Sequence, residues 1–179
     1  MIYVHFADGF EEIEALSIVD ILRRAGEDVQ MVSIMGRKNV TATHGVEVVC
    51  DILFEEADYE NCEMIVFPGG MPGVTYLDEH EGLGAVILDF AAKGKLIGAI
   101  CAAPVILYHK GLLEGKNIIC FPDFAGKIKG ANIDTSGVLA LRDGNIITSR
   151  GPATAMAFAL ELVKALQGEE AAATVAARL

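Results

Sequence analysis

The chain has 179 residues, 53% of them hydrophobic, and it carries 14 Lys and Arg against 25 Asp and Glu, a formal net charge of −11 at pH 7. This length suits a single domain over residues 1–179, and the charge disfavours nucleic acid and anionic membrane surfaces, because both would repel the protein. No apolar run approaches the roughly 20 residues of a membrane span, so we expect a soluble protein that binds small molecules or other proteins.

The spacing of the cysteines bears on metal binding and disulfide bonds, and the N-terminal residues bear on cellular location. The four cysteines are far apart and show no C-x-x-C or Cys/His ligand spacing, which argues against zinc. The chain enters a strand pattern at Ile2 without a basic region or a cleavage site, so no targeting signal is indicated. We expect a cytoplasmic protein without a metal, a cofactor or disulfide bonds.

The first half of the chain alternates strand and helix patterns. Ile13, Leu16, Val19 and Leu22 recur at helical spacing, and Gly26 supplies a stop. In chain order we predict a strand in MIYVHFA, a helix in DGFEEIEALSIVDILRRAG, a strand in VQMVSI and an extended or hairpin segment in VTATHGVEVVC.

The second half repeats this unit. In chain order we predict a buried strand and glycine turn in MIVFPGG, a helix in GLGAVILDFAAKG, a buried strand in KLIGAI, a helix in APVILYHKG, a hairpin in VLALRDGNIITS and a helix in GPATAMAFALELVKALQG. Strands without alternation that are separated by helices are typical of a mostly parallel sheet covered on both faces. The predicted fold class is therefore α/β.

Cys101 lies at the edge of this sheet where ligands are expected. In parallel sheets ligands bind beyond the carboxyl ends of the strands, which places residues 8–14, 68–71, 101–104 and 149–152 together. Cys101 falls between a strand and a helix, and the first helical N–H groups can lower a thiol pKa from about 8.5 to roughly 3.5–7.5. The position predicts a nucleophile; a small buried cysteine that only packs is the alternative.

Glu14 is the acidic residue in GFEEIE that helix chemistry explains least well. Glu11 and Glu12 suit the positive end of the helix dipole, whereas Glu14 follows Ile13 on a helix that must face the sheet. A charged Glu14 beside Cys101 would raise the pKa of the thiol, whereas a neutral one could hydrogen-bond the thiolate and move its proton. An exposed Glu14 is the alternative.

Gly69 and Gly70 end the buried strand MIVF and its proline. Two residues without Cβ allow backbone N–H groups to approach a ligand oxygen, as in an oxyanion hole. A simple turn is the alternative.

Five blocks occur in the chain in this order: DGFEEIEALSIVDILRRAG, VFPGGMPG, IGAICAAPVIL, TSRGPATAMAFAL and GEEAAATVAARL. Together they resemble the ThiJ/PfpI superfamily over essentially the whole chain, in the branch of the parkinsonism-associated protein deglycase. The resemblance implies a flavodoxin-like three-layer sandwich and a homodimer. It also implies a nucleophilic, readily oxidised Cys101, a protonated Glu14, and an oxyanion pocket formed by the backbone of Gly69, Gly70 and Ala102.

By the same matching, four further residues are candidates for the pocket or the dimer contact. They are Arg24, His44, Arg150 and Gly151. A surface or packing role is the alternative for each of them, and a solvated loop position is the interpretation we favour for His44.

The sequence also departs from some members of the superfamily. The residue after Cys120 is Phe121, where some relatives have a histidine, and this excludes a Cys/His pair there. The residue after Cys101 is Ala102 instead of the histidine of the protease-like branch, which disfavours peptidase activity.

The resemblance implies a cofactor-independent enzyme for small reactive carbonyls, of the glutathione-independent glyoxalase or protein deglycase type. Cys101 would add to the aldehyde, the N–H groups would stabilise the oxyanion, and Glu14 would shuttle the proton. One alternative is a redox-sensing or chaperone-like stress protein that uses oxidation of Cys101. Another is a cysteine hydrolase or amidase of unknown substrate.

Overall fold

The computed structural model describes residues 1–179, with eleven strands and seven helices. The strands are β1 (Ile2–Phe6), β2 (Val29–Ser33), β3 (Asn39–Thr41), β4 (Glu47–Val49), β5 (Ile52–Leu53), β6 (Met64–Phe67), β7 (Leu96–Ile100), β8 (Asn117–Ile118), β9 (Asn132–Ile133), β10 (Ala140–Asp143) and β11 (Ile146–Ser149). The helices are α1 (Glu12–Arg24), α2 (Gly73–Glu79), α3 (Glu81–Lys93), α4 (Pro104–His109), α5 (Pro122–Ala125), α6 (Ala155–Gln167) and α7 (Glu169–Ala176).

Seven of the strands form one central sheet in the order β10-β11-β7-β6-β1-β2-β5. All neighbours in it are parallel except β10 and β11, which form an antiparallel hairpin. β3 and β4 form a separate antiparallel pair, and β8 and β9 a short parallel one. The predicted α/β class and both predicted hairpins are confirmed.

The two faces of the sheet carry two separate apolar cores. Ile2, Val4 and Phe6 of β1 belong to the core that contains buried side chains of α1, α6 and α7. Tyr3 points to the opposite face, whose core contains side chains of α2, α3 and α4. Successive side chains of a strand point to opposite faces of the sheet, so each strand contributes apolar residues to both cores. Full burial of one large apolar side chain stabilises the fold by about 1.5–3 kcal/mol. The result is the expected three-layer sandwich.

Helix α1 is rotated relative to the periodicity read from the sequence. The predicted apolar stripe includes Ile13 and Leu16, but these residues are 56% and 39% exposed. Val19 and Leu22 of the same stripe are buried as predicted, and Glu14 and Ile18 are buried with them. Glu14, Ile18 and Leu22 stand at i, i+4 and i+8 on one face of the helix. The helix therefore turns a carboxyl group toward the sheet and leaves two large apolar side chains in solvent.

Two histidines, His5 and His80, make hydrogen bonds inside the fold. His5 lies in the core, with its Nε2 2.9 Å from the Tyr59 hydroxyl. His80 is half-buried, and its Nδ1 accepts a hydrogen bond from Leu83 N at the start of α3. No helix of the fold combines the length and the apolar character needed to cross a membrane.

Candidate active site

Cys101 occupies a strained turn immediately after β7. It is the one residue other than glycine with a positive φ, at 65°, in a region that non-glycine residues adopt rarely and at a cost of order 1–3 kcal/mol. Its N–H donates to Ser149 O at 3.0 Å, and its carbonyl accepts from Phe121 N at 2.8 Å. These bonds on both sides hold the turn in the geometry of a nucleophile elbow.

The predicted convergence of turns is found in the structure. β1, β6, β7 and β11 are consecutive in the sheet, so the segments that follow their carboxyl ends are neighbours. A Cβ atom built on Gly69 would lie 2.6 Å from Cys101 Cβ and 2.8 Å from Glu14 Oε2. Only a glycine at position 69 leaves room for the cysteine and the carboxyl group to meet.

Glu14 is completely buried in this edge of the sheet. Its Oε2 accepts a hydrogen bond from Gly69 N at 2.7 Å, and its Oε1 has no partner. Burial raises the pKa of Glu14 to about 7, and the charge of Glu11 adds to this, while hydrogen bonds from Gly69 and Cys101 act in the opposite direction. Near neutral pH a large fraction of Glu14 is therefore protonated.

Glu11 attaches the start of α1 to the glycine turn. Its Oε2 accepts from Glu14 N at 2.8 Å, and its own N–H donates to Gly69 O at 2.9 Å. The carboxylate is thus an N-cap, a more specific role than the dipole effect inferred from the sequence. Gly69 and Glu11 are 58 residues apart in the sequence, so local sequence patterns do not reveal the hydrogen bond between them.

The pKa of Cys101 depends on the charge of its neighbour. Burial raises the pKa of the thiol, and so does the charged form of Glu14, whereas N–H groups of Ala102 and Gly70 lower it. The low pKa expected from the helix N-terminus alone is therefore offset in the structure. An ionised Glu14 therefore disfavours a thiolate at Cys101, and a neutral Glu14 removes that part of the penalty.

The three backbone groups expected to bind an oxyanion are not equivalent. The N–H of Gly69 is already donated to Glu14 Oε2, which corrects the role expected for this residue. The N–H groups of Gly70 and Ala102 lie against the sulfur of Cys101 and are the donors available near it.

His44 lies beside the start of α1, in the loop between β3 and β4. Its Nδ1 is 3.1 Å from Glu12 Oε2, its N–H donates to Glu12 Oε1 at 3.2 Å, and its side chain is 72% exposed. Glu11, Glu12 and His44 place their ligand atoms within 4.8 Å of one another. The carboxylates already accept hydrogen bonds from Glu14 and His44 N–H groups, so we assign no metal to this group.

Arg24 is remote from Glu14 and Cys101 within one chain. It ends α1, ten residues after Glu14, which at 1.5 Å per residue places it about 15 Å along the helix. Its Nε is 2.6 Å from Asp20 Oδ2, and it lines an open groove with residues of α7 and with Arg178, which follows that helix. The structure does not bring Arg24 to the pocket.

Arg150 and Gly151 follow β11, and only Gly151 lies against Glu14. Gly151 is buried, and a Cβ atom built on it would lie 3.9 Å from Glu14 Oε1. Arg150 is exposed. Thr154 holds this turn, since its Oγ1 accepts from Gly151 N at 3.1 Å and donates to Gly151 O at 2.9 Å. Thr154 carries no signal in the sequence beyond its position two residues after SRGP.

Comparison with known proteins identifies a family whose sequence pattern includes the residues of this site. The sequence profile of the DJ-1/PfpI family matches residues 1–165, which include every site residue described above. The chain belongs to the DJ-1/PfpI family. Protein DJ-1 homolog B of Arabidopsis thaliana is 38% identical over 170 residues, which cover 94% of this chain and 38% of that protein. The chain thus spans less than half the length of this plant relative and of the related DJ-1 homolog A.

Two further members of the DJ-1/PfpI family match this chain over most of their length. The glutathione-independent glyoxalase DJR-1.2 of Caenorhabditis elegans is 32% identical, with 89% of this chain and 84% of that protein covered. The solved structure of oxidized DJ-1 from Toxoplasma gondii superposes with a TM-score of 0.94 at 36% identity, covering 99% of this chain and 96% of that one. The flavodoxin-like fold is thereby confirmed.

Proposed function

We propose that this protein is a cofactor-independent enzyme that converts small reactive 2-oxoaldehydes to hydroxyacids, with Cys101 as nucleophile and Glu14 as proton shuttle. The contact between a cysteine on a strained elbow and a buried carboxyl with a pKa of about 7 is the observation that carries the proposal. A carboxyl group that titrates near the working pH is suited to give and take protons. A relative named as a glutathione-independent glyoxalase supports the same chemistry.

The reaction with methylglyoxal needs one water and no external oxidant. The thiolate of Cys101 attacks the aldehyde carbon, and the carbonyl electron pair moves to oxygen beside the N–H groups of Gly70 and Ala102. The oxygen takes a proton from Glu14, and the ionised Glu14 then removes the hydrogen of that carbon as a proton, which leaves an enediolate. Glu14 returns this proton to the neighbouring carbon, and the hydroxyl proton moves to the neighbouring oxygen, which gives the thioester of lactate. Water cleaves the resulting thioester, which releases lactate and restores the thiolate. Repair of glycated protein adducts would use the same residues.

The test is lactate formation from methylglyoxal without glutathione. We expect kcat/KM to fall by about 100-fold or more in Cys101→Ser and Glu14→Gln. Cys50→Ser and Glu12→Gln are matched controls that should keep most of the activity, and circular dichroism checks folding of each variant. Full activity in a folded Cys101→Ser or Glu14→Gln protein would refute the proposal.

A redox-sensing role is the second candidate, and one observation favours it. Cys101 is partly exposed, whereas Cys50, Cys62 and Cys120 are buried. A relative of known structure is described as oxidized. We expect mild peroxide to add two oxygens selectively at Cys101, measured by intact mass and peptide mapping. Equal oxidation of all four cysteines would exclude the sensor.

We also propose a homodimer that works in the cytoplasm. Ile13 and Leu16 of α1, together with Val46 and Val49 of the β3–β4 hairpin, are large apolar side chains exposed in the single chain, and such residues are typical of interfaces. Four free cysteines suit a reducing compartment. Light scattering after gel filtration should give twice the chain mass of 19.0 kDa, and a monomer at micromolar concentration would contradict the proposal.

A further inference from the structure

A cavity of about 260 Å³ lies outside the candidate active site. None of the groups that carry the proposed reaction lines it, so it is a separate space. The lining residues on which its chemistry depends are Ile119, Ala125, Ile133, Val138, Asp134 and Arg150. Sites for small molecules are concave and mostly apolar, with a few placed polar groups, and this cavity has that composition.

Hydrogen bonds to β11 hold the walls of this cavity in place. The N–H of Ile119 donates to Thr148 Oγ1 at 2.9 Å. Ser149 Oγ donates to the carbonyl of Leu139, next to the lining residues, at 2.6 Å. Arg150 follows directly after the end of β11. Three wall segments are thus fixed to one strand of the central sheet, and the cavity is an ordered part of the fold.

Arg150 and Asp134 are the only charged residues that line the cavity, and they carry opposite charges. Neither takes part in a salt bridge, with the other or with any other residue of the chain. Asp134 Oδ1 accepts hydrogen bonds from Ser136 N and Oγ, both at 2.8 Å, while its Oδ2 accepts none. One guanidinium group and one carboxylate oxygen are therefore available to a ligand.

The two charges together disfavour ligands that carry only one charge. A plain carboxylate that pairs with Arg150 also faces the negative Asp134, and a plain amine that pairs with Asp134 also faces the positive Arg150. A molecule with both an ammonium and a carboxylate group is attracted by both residues, and a guanidinium binds a carboxylate through two hydrogen bonds. The side chains of Ile119, Ile133 and Val138 offer an apolar surface to the rest of such a molecule.

We propose that this cavity binds a free α-amino acid with an apolar side chain. Arg150 holds the carboxylate, and Asp134 holds the ammonium group. The volume of about 260 Å³ lies below the roughly 300–1,000 Å³ of sites for drug-sized ligands, which suits a small molecule of this kind. The site does not depend on the reaction proposed for Cys101, and binding involves no covalent step.

Calorimetric titration of the full-length protein with L-leucine is the first test. We expect L-leucine to bind at one site per chain. 4-Methylpentanoate lacks the ammonium group and 3-methylbutylamine lacks the carboxylate, and each should bind about tenfold more weakly or worse, because one charge of the cavity is then left unpaired. The absence of L-leucine binding, or equal affinities for L-leucine and 4-methylpentanoate, would overturn the proposal.

Variants of the two charged residues locate the ligand and separate its two ends. Arg150→Gln and Asp134→Asn should each weaken L-leucine binding about tenfold or more. In Asp134→Asn the preference for L-leucine over 4-methylpentanoate should disappear. In Arg150→Gln the preference for L-leucine over 3-methylbutylamine should disappear.

Matched controls make the same charge changes outside the cavity. Arg178 and Asp123 do not line it, and Arg178→Gln and Asp123→Asn should leave the affinity for L-leucine within about twofold. Circular dichroism checks that each variant folds. An unchanged affinity in either Arg150→Gln or Asp134→Asn would rule out this site for the amino acid.

Discussion

Glu14 lies in the candidate active site, and its burial makes the stability of the fold depend on pH. The side chain is fully buried, one carboxyl oxygen has no hydrogen-bond partner, and burial raises its pKa from 4.5 to about 7. The unfolded chain releases this proton near pH 4.5, whereas the folded chain retains it to about pH 7. Stability from this group is therefore present below pH 4.5 and is lost as pH rises through 7.

A glutamine at position 14 removes this titration. The difference between a pKa of 4.5 and one of about 7 corresponds to about 3 kcal/mol. We expect the free energy of unfolding of Glu14→Gln, relative to the unmodified protein, to increase by about that amount between pH 4.5 and pH 7.5. Urea denaturation at several pH values measures it. Glu170→Gln, at an exposed position of α7, is the control, and a pH-independent difference for Glu14→Gln would contradict the raised pKa.

The turn between β11 and α6 is an element whose geometry depends on one hydroxyl group. Thr154 Oγ1 is 2.7 Å from Ser149 Oγ and hydrogen-bonds both the N–H and the carbonyl of Gly151. All three residues are buried, so the polar groups of the turn have no access to bulk water. This network positions Gly151 against Glu14 and Arg150 at the neighbouring cavity.

Thr154→Val keeps the shape of the side chain and removes these bonds. We expect a loss of about 1–3 kcal/mol in the free energy of unfolding, because buried polar partners are left unsatisfied. Thr154→Ser retains the hydroxyl and should lose less than Thr154→Val. Urea denaturation at pH 7 gives both values, and equal stabilities for the two variants would show that the hydroxyl does not hold the turn.

At the scale of the whole molecule, the two sheet faces carry buried groups with opposite pH dependence. His5 lies under the face covered by α2, α3 and α4, and burial lowers its pKa from 6.5 to about 3. The unfolded chain binds this proton below pH 6.5, whereas the folded chain does not. Stability from His5 is therefore complete above pH 6.5 and is lost as pH falls toward 3, the reverse of Glu14.

Between pH 4.5 and 6.5 the two dependences should cancel. We expect the unmodified protein to change in stability by less than about 1 kcal/mol over this range. His5→Gln should lose about 3 kcal/mol as pH rises, and Glu14→Gln should gain about as much. His109→Gln, at an exposed histidine, is the control for His5→Gln. Denaturant titrations at pH 4.5, 5.5 and 6.5 provide the comparison, and parallel pH profiles for the two variants would rule out the cancellation.

The sequence by itself determined the architecture and the position of Cys101 directly after a central strand. Apolar runs such as MIVF and LIGAI, separated by helical patterns, identify buried parallel strands because both faces of such a sheet are covered. A cysteine placed directly after one of these strands must fall at the edge where ligands bind. Local order along the chain is sufficient for both conclusions, and the structure and the family comparison confirm the fold.

The tertiary structure decided the environment of the site, because burial and hydrogen-bond partners come from distant segments. Helical periodicity placed Ile13 in the core, whereas packing turns Glu14 inward and leaves Ile13 exposed. The N–H of Gly69 was assigned to a ligand, but Glu14, 55 residues earlier, accepts it. Arg24 matched a pocket position in sequence, yet the length of α1 carries it away. A pKa depends on solvent exclusion and nearby charge in three dimensions, which no single stretch of this sequence contains.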